Sequence, residues 1–180
     1  MARPAATSFY DTMIYVCSLL ELEAHADTLG PSRLVSLLAP EYQPPTPQGL
    51  AMEHHLRVEI DDISEPIPGH VLPATHHIEA LIAFIHGWPV DGPMLFHCHA
   101  GVSRSMAAAL IALCVHADGR EAEAARHMRE SAPHALPNRR MIALADELLG
   151  RDGRMVAARE AMGPAELCIY GPLVRMSLLP

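Results

Sequence analysis

The chain has 180 residues, of which 50% are hydrophobic and 19% are charged, and its formal net charge at pH 7 is −8. This composition is typical of a single globular domain with one sizeable core and disfavours a disordered chain. The negative charge disfavours a broad nucleic-acid surface, so we expect no nucleic-acid partner. All 13 basic residues are arginine, which excludes a lysine Schiff base or a Walker-type phosphate site.

The length of the apolar runs limits where the protein is expected to reside, and the spacing of the cysteines limits its redox chemistry. The longest apolar run near the start, at 13–20, is too short to span a bilayer, so we expect no membrane partner. The N-terminus lacks the layout of a signal peptide, and we therefore expect a cytoplasmic protein with free thiols. No Cys-x-x-Cys pair occurs, which disfavours a zinc ribbon or a redox dithiol. The four cysteines are Cys17, Cys98, Cys114 and Cys168.

Hydrophobic periodicity and breaker residues predict alternating strands and helices. In chain order they are a strand at 13–20, a helix at 21–29, strands at 33–38 and 56–60, a helix at 75–88, a strand at 94–96, and helices at 105–116, 120–130 and 138–149. This alternation predicts an α/β fold with a mainly parallel central sheet flanked by helices on both faces. The last residues, 153–180, predict a short helix and an extended segment, forming an extension packed on a domain at 1–152.

A Cys-x5-Arg spacing occurs twice in the chain, so the spacing alone is a weak signal. The pair Cys114 and Arg120 starts inside a predicted apolar helix, where a buried thiol is inert. The pair Cys98 and Arg104 instead follows a short apolar strand and leads into a long helix. We therefore predict that chemistry resides at Cys98.

The strand–loop–helix around Cys98 is suited to holding an anion. Backbone N–H groups of the loop and the positive end of the helix would converge on a phosphate, which Arg104 could grip with two donors. The same field favours a nucleophilic thiolate at Cys98. We expect Ser105 to donate a hydrogen bond to the sulfur; the alternative is that Ser103 and Ser105 are plain helix caps. The residues predicted to surround the phosphate are His99, Ala100, Gly101, Val102, Ser103 and Arg104.

The segment from His97 to Ser105, HCHAGVSRS, resembles the active-site loop of the protein tyrosine phosphatase superfamily, and the compact chain resembles its dual-specificity branch. The resemblance extends from near Tyr15 to the helix ending near Leu149. It implies a cysteine-phosphatase fold, a catalytic domain at 1–152 and a phosphorylated protein as substrate, with no cofactor.

The resemblance further implies an aspartic acid that protonates the leaving oxygen and then activates water, placed just after a strand that precedes the cysteine. Asp62 fits this position best and Asp61 second, and Glu65 is a further carboxylate within reach. The alternative is that both aspartates only solvate a turn.

Three other functions are alternatives to a phosphatase that acts on proteins. A phosphatase for nucleotides or phosphoinositides would gain from extra cations in the loop, which His99, Ala100 and Val102 do not supply as fixed charge. A non-catalytic phosphate-binding module usually lacks the cysteine, the arginine or the acid. Arsenate reduction needs a relay of thiols that is not evident near Cys98. We expect no metal site, since neighbouring residues such as His97 and Cys98 point to opposite faces of a strand.

Overall fold

A computed structural model of the chain describes residues 13–180. The first 12 residues of the domain predicted at 1–152 therefore lie outside the described residues. The strands are β1 (Met13–Ser18), β2 (Arg33–Leu38), β3 (His55–Glu59), β4 (Met94–Cys98) and β5 (Val174–Ser177). The helices are α1 (Leu22–Leu29), α2 (Thr75–His86), α3 (Arg104–His116), α4 (Glu121–Ser131), α5 (Arg139–Leu148) and α6 (Arg154–Ala161), with short 3₁₀ turns at Leu19–Glu21, Pro40–Tyr42 and Met52–His54.

The five strands form one sheet in the order β3-β2-β4-β1-β5. The pairs β3/β2, β2/β4 and β4/β1 are parallel, and β5 adds to β1 in the antiparallel direction. The predicted α/β fold with a mainly parallel sheet is confirmed. Its four parallel strands all end at the same edge, so the residues that follow β3 and β4 come to lie near one another.

Alternating side chains of the strands enter two separate cores, which is why helices flank both faces. Tyr15 and Cys17 of β1 pack with Leu22 and Ala26 of α1 on one face. The other face carries the larger core, which includes Val16 and the apolar residues of the five other helices. Helix α3 contacts β4, β1 and β2 on one side and α2, α4 and α5 on the other, so it is buried almost throughout.

Three predicted elements end two residues away from the observed boundary, and the other ends differ by at most one residue. Helix α2 ends at His86 instead of residue 88. Strand β1 ends at Ser18 instead of residue 20, because the chain turns into a 3₁₀ helix in which Leu20 is 71% exposed. Strand β4 continues through His97 to Cys98, both of which are buried and paired with β1. Within residues 13–180, no helix is long and apolar enough to cross a membrane.

The C-terminal residues are integrated into the sheet and the larger helical layer. Helix α6 packs against α4 and α5, and β5 contacts both β1 and α4. An Arg151 guanidinium, 9% exposed, pairs with Asp118 and Glu121 beneath α6. The carboxylate of Asp146 accepts the backbone N–H groups of Gly153 and Met155 at 2.6 and 2.8 Å, which fixes the start of α6.

A row of buried polar side chains crosses the sheet beneath the end of β4. The Ser36 hydroxyl lies 2.5 Å from Nε2 of His97 and 2.7 Å from Nε2 of His55. The other ring nitrogen of His55 lies 3.0 Å from Oγ1 of Thr46. Burial lowers the pKa of His97 to about 3 and that of His55 to about 4, so both rings are neutral at neutral pH.

This row predicts that the fold loses stability as the pH falls below about 6.5, the pKa of an unperturbed histidine. Between pH 6.5 and about 4, His97 and His55 bind protons in the unfolded chain but not in the folded chain. The free energy of unfolding should therefore fall by up to about 1.4 kcal/mol per pH unit for the fully buried His97. Urea unfolding between pH 7.5 and 4.5 measures this slope.

The matched variant is His55→Gln, which should flatten part of the slope because it removes one of the two buried rings. Equal slopes in His55→Gln and the wild type would show that the buried row does not control the acid sensitivity.

Candidate active site

Strand β4 delivers Cys98 to the carboxyl edge of the sheet, where it pairs with Ser18 of β1 and is only 2% exposed. The Gly101 backbone N–H donates to the Cys98 sulfur at 3.3 Å. The Ser105 hydroxyl lies 3.1 Å from the same sulfur. Two polar groups thus face the sulfur, and both can donate to a thiolate. Ser105 makes this contact at the start of α3.

The loop between Cys98 and Arg104 is held from its outer side. Leu19 donates its backbone N–H to the His99 carbonyl at 3.2 Å, and Gly171 donates to the Ala100 carbonyl at 2.8 Å. In a trans peptide the C=O and the following N–H point in opposite directions. Holding these two carbonyls outward therefore directs the N–H groups of Ala100 and Gly101 inward, as the Gly101 contact with the sulfur shows.

Gly101 has no room for a side chain. Its φ is +73°, and a Cβ atom would lie 2.9 Å from the Cys17 carbonyl carbon and 3.0 Å from both the Cys17 oxygen and the Ser18 nitrogen. These are backbone atoms of β1, which cannot move aside without disturbing the central sheet. The close approach of loop and strand requires glycine at this position.

Arg104, the first residue of α3, is 8% exposed. Its Nη1 donates to the Ile60 carbonyl at 2.9 Å, which ties it to the chain leaving β3. Its buried Nε has no hydrogen-bond partner among the described residues. A buried donor without a partner is rare, and an oxygen of a bound phosphate would satisfy it.

The structure places the two candidate aspartates in different environments. Asp62 lines the pocket above Cys98, and its Oδ1 accepts from the Ser103 hydroxyl at 2.7 Å and from Nδ2 of Asn138 at 2.9 Å. Asp61 instead accepts the Val71 backbone N–H at 2.7 Å and lies 3.4 Å from the His70 ring. The Val71 bond, aided by His70, lowers the pKa of Asp61, so Asp61 braces the loop as a carboxylate.

Asn138 is a site residue that the sequence did not single out. Its Oδ1 accepts the backbone N–H groups of Arg140 and Met141, both at 3.1 Å, and so caps α5. Its Nδ2 remains available for Asp62. An asparagine before a helix predicts the cap, but nothing local predicts what the amide nitrogen will meet. Ser103, which we considered as a cap, makes no side-chain cap to α3 within the described chain.

The side chains surround a pocket of about 510 Å³. Its lining includes residues far from the phosphate loop in sequence, namely Leu136, Pro137, Asn138, Arg139, Arg159, Cys168 and Ile169. The ring of His99 lies 5.9 Å from the ring of Tyr170, at the rim. The C-terminal segment therefore forms part of the wall of the pocket, which the sequence did not predict.

No protein-family model matches the sequence, and no curated protein matches it. Solved structures do match. Human DUSP28 superposes with a TM-score of 0.58 at 20% identity, over 82% of this chain and 94% of that chain. DUSP15 gives a TM-score of 0.59 at 18% identity, over 86% of this chain and 93% of that chain. The human tyrosine phosphatase-like serine/threonine/tyrosine-interacting protein gives 0.57 at 18% identity, over 77% and 92%.

The chain has the dual-specificity phosphatase fold. The resemblance that the loop sequence indicated is therefore confirmed at the level of the fold. Within this fold the two other buried thiols are unsuited to chemistry, because burial raises the pKa of both Cys17 and Cys114 to about 12. The second Cys-x5-Arg pair does not form a loop around an anion. Cys114 lies within α3, and the Arg120 guanidinium pairs with Glu123 at 2.7 Å.

The contact of Gly101 with β1 predicts that Gly101→Ala disrupts the site of this dual-specificity phosphatase fold. The clash adds to the cost of a left-handed alanine, which is of order 1–2 kcal/mol alone. Gly119→Ala is the matched control, since its φ is +76° but nothing lies within 4 Å of an added Cβ. Chemical denaturation should show a clearly larger loss of stability for Gly101→Ala. Equal losses would contradict the packing argument.

Proposed function

We propose that the chain is a cysteine-dependent phosphatase that hydrolyses phosphotyrosine in proteins through a phosphocysteine on Cys98. Phosphoserine and phosphothreonine are further candidate substrates. The observation that carries the proposal is that Cys98, Arg104 and Asp62 line one pocket. The Gly101 N–H donates to the Cys98 sulfur, and the buried Nε of Arg104 has no partner among the described residues.

In the first step the Cys98 thiolate attacks phosphorus in line with the leaving oxygen. The S–P bond forms as the P–O bond to the leaving group breaks, and Asp62 gives its proton to the departing oxygen. Within the described residues, both hydrogen bonds to Asp62 are made to Oδ1. Its Oδ2 is therefore the oxygen available to carry the proton.

In the second step water attacks phosphorus and Asp62 takes the proton of that water. The S–P bond breaks and the thiolate returns. Ser105, 3.1 Å from the sulfur, donates a hydrogen bond that stabilises the departing thiolate, and Gly101 supplies another. Arg104 neutralises the equatorial phosphate oxygens throughout, and its contact with Ile60 holds the guanidinium in place.

A non-catalytic phosphate-binding module is the second candidate, since one protein with this fold is named as tyrosine phosphatase-like. The presence of Cys98, Arg104 and Asp62 in one pocket supports catalysis over binding alone. A small-molecule phosphatase is the third candidate. Arg139 and Arg159 in the pocket wall supply the extra positive charge that a highly charged headgroup would need.

Substitution of Cys98 tests the proposed nucleophile. Wild-type protein should hydrolyse para-nitrophenyl phosphate in the presence of chelator, and Cys98→Ser should lose the activity because serine is not ionised at neutral pH. Cys114→Ala, which alters a buried thiol distant from the loop, should retain it. Wild type that binds phosphate without turnover would establish the binding module instead.

Substitution of the two aspartates tests the proposed acid. Asp62→Asn should lower kcat by about 10²-fold or more, with a larger loss for phenyl phosphate than for para-nitrophenyl phosphate, because phenol leaves less readily. It should also remove the decline of the rate as the pH rises. Asp61→Asn preserves an acceptor for Val71 and should have a small effect. The reverse ranking of the two variants would reassign the proton donor to Asp61.

A further inference from the structure

We propose that an apolar rim beside the pocket selects phosphotyrosine peptides that carry a large aliphatic or aromatic side chain within two residues of the phosphotyrosine. The rim consists of Leu20, Leu136, Ile169 and Tyr170. This inference rests on the proposed function, because it names a preference of the same pocket. It concerns side chains outside the phosphate loop, two of which belong to the C-terminal segment.

The four side chains of the rim are apolar or aromatic, and much of each is in contact with water. Ile169 is 79% exposed, Leu20 71%, Leu136 48% and Tyr170 45%. Single exposed apolar side chains are normal on a protein surface, whereas several side by side indicate a contact with another molecule. The grouping of these four residues is therefore the observation that needs an explanation.

Two neighbouring depressions bring the rim together. Leu136, Ile169 and His99 line the pocket that contains the nucleophile. Leu20 and Tyr170 line a second depression of about 360 Å³. The two depressions adjoin where the rings of His99 and Tyr170 lie side by side, with their centroids 5.9 Å apart. The apolar rim is thus continuous with the pocket that would hold the phosphotyrosine.

The C-terminal segment presents its part of the rim from a fixed backbone. The Glu166 N–H donates to the Pro133 carbonyl at 3.0 Å, and the Gly171 N–H donates to the Ala100 carbonyl at 2.8 Å. The two rim residues of this segment lie between these contacts, and β5, which pairs with β1, follows them. A backbone held at both ends loses little conformational freedom when a ligand binds, which favours affinity.

A peptide bound through its phosphotyrosine would pass along the rim. His99 directly follows Cys98 in sequence, and its ring adjoins Tyr170. An extended peptide advances by about 3.3–3.6 Å per residue, so the neighbours of the phosphotyrosine leave the pocket within one or two positions. Their side chains then meet the mouth of the pocket, where the rim begins.

The size of the rim suits a short peptide better than a folded partner. A stable protein interface uses about 20–30 residues on each side, whereas the rim offers four side chains. One large apolar side chain of a peptide, packed on this surface, would remove both from water. A bilayer fits less well, because the net charge of −8 would repel the protein from an anionic leaflet.

The test uses phosphotyrosine peptides in which one residue at a time, from two positions before the phosphotyrosine to two after it, is alanine, leucine, phenylalanine or arginine. At one or more of these positions we expect kcat/KM to be about three- to ten-fold higher for leucine or phenylalanine than for alanine. The ratio is modest because an open surface buries only part of the side chain. The preference should persist at high salt, since it does not depend on charge.

Substitution of Ile169 separates recognition from a structural role. Ile169→Glu should remove the preference for leucine and create one for arginine at the same peptide position. If this variant lowered kcat/KM equally for all peptides, Ile169 would have only a structural role and the inference would be wrong. Met52→Ser is the matched control, because Met52 is 76% exposed but precedes β3, at the opposite edge of the sheet. It should retain the preference for leucine.

Failure of the rim and failure of the phosphatase give different results. Equal kcat/KM for all peptides, with para-nitrophenyl phosphate still hydrolysed, would overturn the apolar rim alone. Absence of turnover on the small ester as well would refute the phosphatase. A dimer in light scattering that Ile169→Glu dissociates would assign the rim to a second copy of the chain. Sedimentation of the wild type, but not of Ile169→Glu, with phosphatidylcholine vesicles would assign it to a bilayer. Either result would overturn the peptide assignment.

Discussion

The backbone between Cys98 and Arg104 turns so tightly that the Gly101 N–H reaches the sulfur, and this turn depends on contacts made outside it. Leu19, after the first strand, and Gly171, before the last, bind two carbonyls of the loop. Their positions are set by the pairing of β1 with β4 and of β5 with β1. The direction of the inner N–H groups, and with it the electrostatics of the pocket, is therefore a property of the whole sheet.

The parts of the site that the sequence could predict are those encoded by local patterns. A short apolar strand, small residues and a long apolar helix locate Cys98 and Arg104 on one loop, and a strand followed by two aspartates locates the candidate acids. Both strands are parallel, so both sets reach the same edge of the sheet. The sequence ranks Asp62 ahead of Asp61 but does not predict their different environments. These are set by Val71 and Asn138, which meet the aspartates only after folding.

The sequence could not assign Arg139, Arg159 or the C-terminal segment to the pocket. Helical periodicity predicts which face of α5 or α6 is buried, but it does not predict which surface of the molecule the exposed face borders. The position of α6 follows from its packing against α4 and α5 and from the backbone N–H groups at its start that donate to Asp146. The loop sequence alone therefore contains fewer positive charges than the lining of the pocket.

His97 adjoins Cys98 in sequence, and its charge state constrains the source of positive potential at the sulfur. Burial keeps the His97 ring neutral by lowering its pKa to about 3, so this ring cannot stabilise a thiolate as a cation. The groups that can stabilise a thiolate there are then the loop N–H groups, the Ser105 hydroxyl and Arg104. The positive potential at the sulfur is accordingly set by the backbone geometry of the loop and by the nearby guanidinium of Arg104.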